Sequence, residues 1–328
     1  MLNLLMIGAG GIGGYYAAKL FTAGHQLVLT ARGKHLTALQ ENGLSVHYDG
    51  QQMVCPIPAV NHAKLVKNYH PNNFDAIIIT LKSTATVALL EELGDWLRLG
   101  ETPVLSLQNG VDNEPLLAKA LGKNRVLGGL AVRIGGHIIK PGVIEAVGVA
   151  QIIMGEWPSS SGLQANQVNP NPLLISLQSE FELAGIPTLI TNNISHELWR
   201  KLIINNGVNP ISALTGLDTK SLTQHPHFSK IIYGMMMETA AAAKADNLEL
   251  GIKDVDAMFE LISNFNAIKT SMLVDKEKGR PLELDSIAGA VLRRSKALGI
   301  DAPYTTTVNA LLEHELSFNS LIKHKRMQ

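Results

Sequence analysis

The stretch LLMIGAGGIGG at residues 4–14 decides the expected fold. An apolar run, Leu2–Ile7, leads into the spacing G-x-G-x-x-G, and an amphipathic segment, Gly13–Ala23, follows it, which predicts a strand, a tight turn and a helix. In this arrangement the glycines allow the turn, the approach of a pyrophosphate and close packing of helix on strand. We therefore predict a dinucleotide site in which N–H groups at the helix start face the phosphates. The expected contacts are Gly8, Ala9, Gly10, Gly11, Ile12 and Gly13.

The first half of the chain alternates short apolar runs with helix-like stretches, which is typical of a parallel sheet with crossover helices. The predicted strands are Leu2–Ile7, Gln26–Thr30, Ala76–Thr80 and Val104–Leu107, with further β-like runs at Val126–Ile134, Val143–Ala146, Gln151–Gly155 and Thr188–Thr191. The segment Pro158–Pro172 is rich in Ser, Asn, Gly and Pro and is predicted to be a surface loop.

From about Ser195 the pattern becomes helical. The predicted helices are Glu197–Leu214, Phe228–Ala245, Asp254–Phe265, Leu284–Leu298 and Tyr304–His324. We place a domain boundary near residue 193. The expected architecture is an α/β Rossmann domain over residues 1–193, followed by an all-helical domain over residues 194–328.

Residues after the predicted strands indicate which dinucleotide binds. NAD-specific sites usually carry an acidic residue about 20 residues beyond the glycines. Here the second strand leads to Arg32 instead, with no carboxylate in that window to repel a 2′-phosphate, so the sequence favours NADP. The alternative is that Arg32 is a solvated loop charge. Lys82 and Asn109 follow the third and fourth strands, where ligands of such sheets bind, although taken alone each fits a surface lysine or a turn as well.

The predicted helix Glu197–Leu214 carries an unusual polar face. Lys201, Asn205 and Asn209 recur every four residues and so line up along one side of the helix. Polar groups within an apolar segment need partners, because burying them unsatisfied costs roughly 1–3 kcal/mol each. These partners come either from the protein, as in a plain kinked helix, or from a polar substrate.

Together these residues resemble the ketopantoate reductase family (2-dehydropantoate 2-reductases), and the resemblance covers nearly the whole chain. It rests on the glycine motif, on TLK at residues 80–82, QNG at 108–110, WRK at 199–201 with Asn205 and Asn209, and SML at 271–273 with Glu283. The resemblance implies a Rossmann domain joined to a helical domain like that of 6-phosphogluconate dehydrogenase. It also implies NADPH-dependent reduction of 2-dehydropantoate to (R)-pantoate, a step in pantothenate biosynthesis.

The resemblance further implies roles for individual residues. Lys201 corresponds to the family's catalytic lysine, and Glu283 to a glutamate that borders both this lysine and the cofactor. Arg32, Lys82 and Asn109 correspond to cofactor contacts. The expected substrate ligands are Asn109, Asn205, Asn209 and Ser271. Thr219 stands where some members carry a further substrate-binding asparagine, which leaves open a related NADP-dependent 2-oxo or hydroxy acid dehydrogenase. A regulator that binds NADPH without turnover is the third alternative.

Composition excludes several other classes. Lysine plus arginine number 28 and aspartate plus glutamate 28, so no net charge draws the chain to nucleic acid or to an anionic membrane. The sequence contains no stretch of about 20 apolar residues, so it predicts no membrane-spanning helix. The single cysteine suits a reducing cytoplasm. We expect a cytoplasmic enzyme with a small-molecule 2-oxo acid substrate and no metal, and its state as homodimer or monomer stays open.

Overall fold

The computed structural model of the chain describes residues 1–159 and 171–326, with side chains up to residue 318. It separates into two compact units. The first contains Met1–Gln108 and Asp112–Glu197, and the second contains Asn109–Val111 and Leu198–Gln328. Most of the predicted surface loop, residues 160–170, lies outside the described residues.

The first unit is built on one sheet. Its strands are β1 (Asn3–Ile7), β2 (Gln26–Thr30), β3 (Leu44–Tyr48), β4 (Gln51–Cys55), β5 (Ala59–Val60), β6 (Ala76–Ile79), β7 (Val104–Ser106), β8 (Val126–Lys140), β9 (Val143–Glu156) and β10 (Thr188–Ile190). The strand order is β4-β3-β9-β8-β7-β6-β1-β2-β5, and β10 pairs with β9. The central run from β2 through β1, β6 and β7 to β8 is parallel throughout, as the sequence predicts.

Helices cover both faces of this sheet, and the core therefore forms on both sides of it. They are α1 (Gly11–Thr22), α2 (Gly33–Asn42), α3 (His62–Asn68), α4 (Thr86–Arg98), α5 (Asn113–Leu121) and α6 (Pro172–Leu183). Alternate residues of β1 serve the two faces. Leu4 and Met6 pack in the cluster that includes α1 and α6, whereas Leu5 and Ile7 pack with residues of α4. This double burial explains the continuous apolar run in the sequence.

The main departure from the predicted sheet is a long hairpin. The runs expected at Val126–Ile134, Val143–Ala146 and Gln151–Gly155 form only two strands, β8 and β9, which pair antiparallel along their length. A register shift follows Val132, and both Arg133 and Ala150 have positive φ. The hairpin thus contains a β-bulge at these residues. The predicted strand ends are wrong because glycine and polar residues interrupt the apolar pattern near this bulge, although the strands continue through it.

The second unit is helical, and α7 (Ile194–Thr215) enters it from the first. The other helices are α8 (Thr219–Thr223), α9 (Phe228–Ala242), α10 (Ile252–Ser263), α11 (Ser271–Glu277), α12 (Ala290–Leu298) and α13 (Pro303–Arg326). The five predicted helices are all present. The one expected at Leu284–Leu298 starts with a π-helical turn, Asp285–Gly289, and the short helices α8 and α11 were not predicted. Among the described residues, no helix combines the length and apolar character that a membrane crossing requires.

Candidate functional site

The glycine-rich turn after β1 is held by two threonines. Gly8 has φ +108°, a conformation that glycine adopts readily, and its N–H donates to Thr30 Oγ1 at 3.1 Å. On the other side, the Thr80 hydroxyl donates to the Gly8 carbonyl at 2.7 Å. A Cβ on Gly13 would lie 2.1 Å from Thr80 Oγ1, so the helix approaches the strands as closely as the motif predicts. Thr30 is the last residue of β2, and Thr80 directly follows β6.

The turn has the room and the polarity that a pyrophosphate needs. A Cβ on Gly10 would meet no atom within 4 Å, and no side chain caps the first turn of α1. The N–H groups there are thus suited to an anion. Gly11 has a different position, because a Cβ on it would lie 2.0 Å from the Gly136 carbonyl carbon in β8. Ala9 is buried and Ile12 packs partly against the core, so the side chains of these two residues point toward the protein interior.

A histidine that no sequence motif marks fixes the same turn. The two ring nitrogens of His35, on α2, lie 2.7 Å from the Ala9 carbonyl oxygen and 3.0 Å from the Gly142 nitrogen. Since an N–H of Gly142 must donate to Nδ1, the proton of the neutral ring is on Nε2 and is donated to Ala9. Burial lowers the pKa of His35, which favours this neutral form. Nothing in the local sequence connects His35 with Ala9.

Arg32 is the N-cap residue directly before α2, and its side chain projects outward and is 65% exposed. The prediction that no carboxylate would repel a 2′-phosphate at Arg32 is wrong, because the fold brings one close to it. Glu92 of α4 places Oε2 3.7 Å from Arg32 Nη2, and the same oxygen lies 2.8 Å from Nδ1 of the buried His62. The sequence window that follows β2 contains no acid, but the fold brings one from 60 residues further along the chain.

The ends of β6 and β7 are tied together beneath the surface. Gln108 is buried, and its amide donates to Thr86 Oγ1 at 2.9 Å and, more weakly, to the Lys82 carbonyl at 3.4 Å. The Thr86 hydroxyl in turn donates to Asn113 Oδ1 at 2.7 Å. Gln108 therefore positions both loops, while the Lys82 side chain is exposed.

Glu114, in the first turn of α5, is a fully buried carboxyl group near this network. Burial is the main cause that raises its pKa to about 7. Because an unfolded glutamate ionises near pH 4.5, the folded protein holds an extra proton between these two values. The contribution of Glu114 to stability is therefore greatest at low pH and declines as the pH rises from about 4.5 to about 7.

Replacing Glu114 with glutamine is expected to raise the free energy of unfolding at pH 8 by roughly 1–3 kcal/mol, since the amide has no ionisation cost. The gain should shrink toward pH 5, where the native carboxyl is neutral. Urea unfolding at both pH values measures the difference. Glu182→Gln, at an exposed position of α6, is the matched control. A Glu114→Gln protein with the pH dependence of the parent would contradict this interpretation.

The helix α7 carries the predicted polar face of the second unit. It is continuous from Ile194 to Thr215, so Lys201, Asn205 and Asn209 lie along one side of it. Lys201 and Asn205 are half-buried, and Asn209 is buried. Pro210 lies inside the helix and cannot donate a backbone hydrogen bond to the carbonyl of residue 206.

The neighbouring amide, Asn206, belongs to the packing of the second unit. It is fully buried, and its Nδ2 donates to Thr239 Oγ1 at 2.9 Å and Thr305 Oγ1 at 3.0 Å. These contacts join α7 to α9 and α13. The protein itself thus provides partners for the side-chain N–H groups of Asn206, whereas its buried Oδ1 has no hydrogen-bond partner among the described residues.

Asn206→Ala is therefore expected to lower the free energy of unfolding by about 2–3 kcal/mol, because two buried hydroxyls lose a partner and a small cavity forms. Chemical denaturation provides the measurement. Asn205→Ala, one residue away and half-buried, should change stability by less than about 0.5 kcal/mol. Equal losses in the two variants would contradict a special packing role for Asn206.

Two other predicted residues of the second unit come together. Asn109 Nδ2 donates to Glu283 Oε2 at 3.3 Å, and the buried Glu283 lies two residues before the π-helical turn. Such turns often occur at functional positions. Ser271 is exposed as the first residue of α11, whose N-terminus is capped by Thr270.

Thr219 bonds to the backbone of a neighbouring loop. Its hydroxyl donates to the Asn266 carbonyl at 3.1 Å and lies 3.4 Å from the Ile268 nitrogen, and the side chain is buried. It thus fastens the start of α8 to the loop before α11. Within the described part of the chain, no three His, Cys, Asp or Glu side chains form a set that could hold a metal ion.

Comparisons with known proteins agree with this architecture. The family description "Ketopantoate reductase PanE/ApbA" matches residues 4–159, and "Ketopantoate reductase PanE/ApbA C terminal" matches residues 193–315. The chain is 31% identical to a 2-dehydropantoate 2-reductase of Mesorhizobium japonicum, over 95% of this chain and 96% of that protein. It is 26% identical to the enzyme of the same name from Pyrococcus horikoshii, over 95% of this chain and 97% of the relative.

Solved structures share the fold. A 2-dehydropantoate 2-reductase from Geobacter metallireducens superposes with a TM-score of 0.82 at 27% identity, covering 96% of this chain and 100% of that one. A ternary complex of D-mandelate dehydrogenase with NADH and anilino(oxo)acetate gives a TM-score of 0.85 at 21% identity, covering 96% and 98%. At that identity the second likeness concerns the fold alone.

Proposed function

The chain belongs to the ketopantoate reductase family, and we propose on this basis that it reduces 2-dehydropantoate to (R)-pantoate with NADPH. The observation that carries the proposal is the face of α7, where one ammonium group and two amides are aligned within an otherwise apolar helix. A protein that only sensed the cofactor would have no use for a proton donor in line with two amides.

Cofactor binding is assigned to residues 1–193 and substrate binding to residues 194–328. The residues assigned to the dinucleotide are the glycine motif at residues 8–13 together with Arg32, Lys82, Asn109 and Glu283. The unfilled space at Gly10 and the exposed guanidinium of Arg32 support the fit of NADPH. When bound, NADPH supplies a hydride to the ketone carbon of the substrate.

Lys201 provides the proton that the reduction requires in addition to the hydride. As a ketone becomes an alcohol, negative charge grows on its oxygen, and an acid within hydrogen-bond reach must neutralise it. The Lys201 ammonium stabilises this charge and donates the proton. Glu283 assists as the carboxylate that borders the lysine and accepts a hydrogen bond from Asn109.

The remaining polar residues orient the substrate. Asn205 and Asn209, on the same face as Lys201, bind its polar groups, and Ser271 helps to hold its carboxylate. Asn109 contacts both substrate and cofactor. Because Thr219 is engaged with the backbone of its own unit, it does not replace the asparagine of other members, and the substrate amides are then Asn205 and Asn209. The small 2-oxo acid is the expected partner, and the cytoplasm is the proposed location.

The test is NADPH oxidation with 2-dehydropantoate beside a panel of 2-oxo acids, including pyruvate, 2-oxoisovalerate and phenylglyoxylate. We expect kcat/KM for 2-dehydropantoate to exceed that for every other acid. A higher value for another acid would identify a related dehydrogenase instead. NADPH binding without turnover of any acid would identify the regulator.

A further inference from the structure

The carboxylate of Glu92 lies beside both Arg32 and a buried histidine. Its Oε2 lies 2.8 Å from Nδ1 of His62, whose side chain is 4% exposed, and 3.7 Å from Arg32 Nη2. The contact lacks the alignment of a hydrogen bond, so it is one of close packing. His62 is the first residue of α3 and is anchored there by packing, so it restrains a side chain that would otherwise move freely at the surface.

This placement sets two effects against each other at Arg32. The guanidinium attracts the 2′-phosphate of NADPH, and the Glu92 carboxylate repels the same group while pairing with the guanidinium. The cofactor without that phosphate suffers no such repulsion, and its ribose 2′-hydroxyl is a group that carboxylates in NAD-specific sites accept from. Glu92 therefore acts against NADPH but not against NADH.

We propose that Glu92, which packs against His62, sets how strongly the site selects NADPH over NADH, and that it keeps this selectivity well below what Arg32 alone would give. The inference rests on the proposed function in one respect, namely that Arg32 receives the 2′-phosphate. It concerns binding of the adenosine end of the cofactor and is independent of which acid is reduced.

The charge on Glu92 can be removed without changing its shape. Glu92→Gln retains the side-chain length and an oxygen in the place beside His62. Glu91→Gln is the matched control, because it makes the same change in net charge at the adjacent exposed position of α4, about 100° around the helix. Since both positions are exposed, both variants should fold like the parent.

The experiment is calorimetric titration of the full-length parent and the two variants with adenosine 2′,5′-bisphosphate and with adenosine 5′-phosphate, which differ only in the 2′-phosphate. In Glu92→Gln we expect binding of the bisphosphate to tighten about tenfold at low ionic strength, less so at higher salt, and that of the monophosphate to stay within about twofold. In Glu91→Gln neither should change by more than about twofold.

Three results would overturn the inference: no tightening in Glu92→Gln, equal tightening in Glu91→Gln, or failure of the bisphosphate to bind any of the three proteins. Steady-state ratios of kcat/KM for NADPH and NADH provide a second readout and should move in the same direction. A protein that shows the binding shift but does not reduce 2-dehydropantoate would contradict the proposed reaction and leave the role of Glu92 supported.

Discussion

Replacing Lys201 with alanine is expected to lower kcat by about three to four orders of magnitude while NADPH binding is retained. The ammonium group both stabilises the developing alkoxide and donates its proton, and no other lysine lies on α7. Substrate binding should weaken much less than turnover, because the amides of Asn205 and Asn209 remain. Stopped-flow or steady-state oxidation of NADPH measures the loss, and quenching of protein fluorescence measures cofactor binding.

Two further variants separate the charge of Lys201 from its proton. Lys201→Arg keeps a cation that does not give up its proton near neutral pH, so it should recover only part of the lost rate. Lys230→Ala, at an exposed position of α9, is the control and should retain the parent kcat. Near-normal turnover in Lys201→Ala would rule out the assigned acid.

Arg32→Ala is expected to raise KM for NADPH by about thirtyfold to about 150-fold and to leave KM for NADH almost unchanged. The loss corresponds to about 2–3 kcal/mol, the value of charge-assisted hydrogen bonds between a guanidinium and a phosphate. Since the side chain is mostly exposed, its removal should not disturb the fold. Initial rates with each cofactor at saturating 2-oxo acid provide the measurement.

Lys34→Ala is a suitable control for Arg32→Ala, because it removes a positive charge from an exposed position two residues along α2. It should affect the two cofactors alike and only slightly. An equal rise in KM for NADPH and NADH in Arg32→Ala would refute a role in binding the 2′-phosphate.

Local sequence pattern was sufficient for the elements whose burial is regular. The strand β1 and the glycine turn follow from residues 4–14, and the parallel strands β2, β6 and β7 follow from short apolar runs. The helix α7 was predicted despite Pro210, because apolar residues recur at helical spacing around it. The polar face of α7 follows from the same spacing, so these candidate residues could be found without coordinates.

What the sequence did not reveal depends on contacts between distant segments. His35 fastens Ala9, and Glu92 approaches Arg32, but no spacing rule connects either pair. The hairpin β8–β9 was missed because its bulge interrupts the alternation that marks a strand. In the same way, Asn205 and Asn206 are chemically identical in the sequence, and only packing shows that the second is bonded to Thr239 and Thr305.

The most direct test of the central claim is the fate of the hydride. The protein is mixed with 2-dehydropantoate and NADPH that carries deuterium at both C4 positions of the nicotinamide, and the product is analysed by mass spectrometry. The account predicts (R)-pantoate with one deuterium, on the carbon that bore the ketone, formed in step with NADPH consumption. Consumption of 2-dehydropantoate without deuterium in the product, or no pantoate at all, would contradict it.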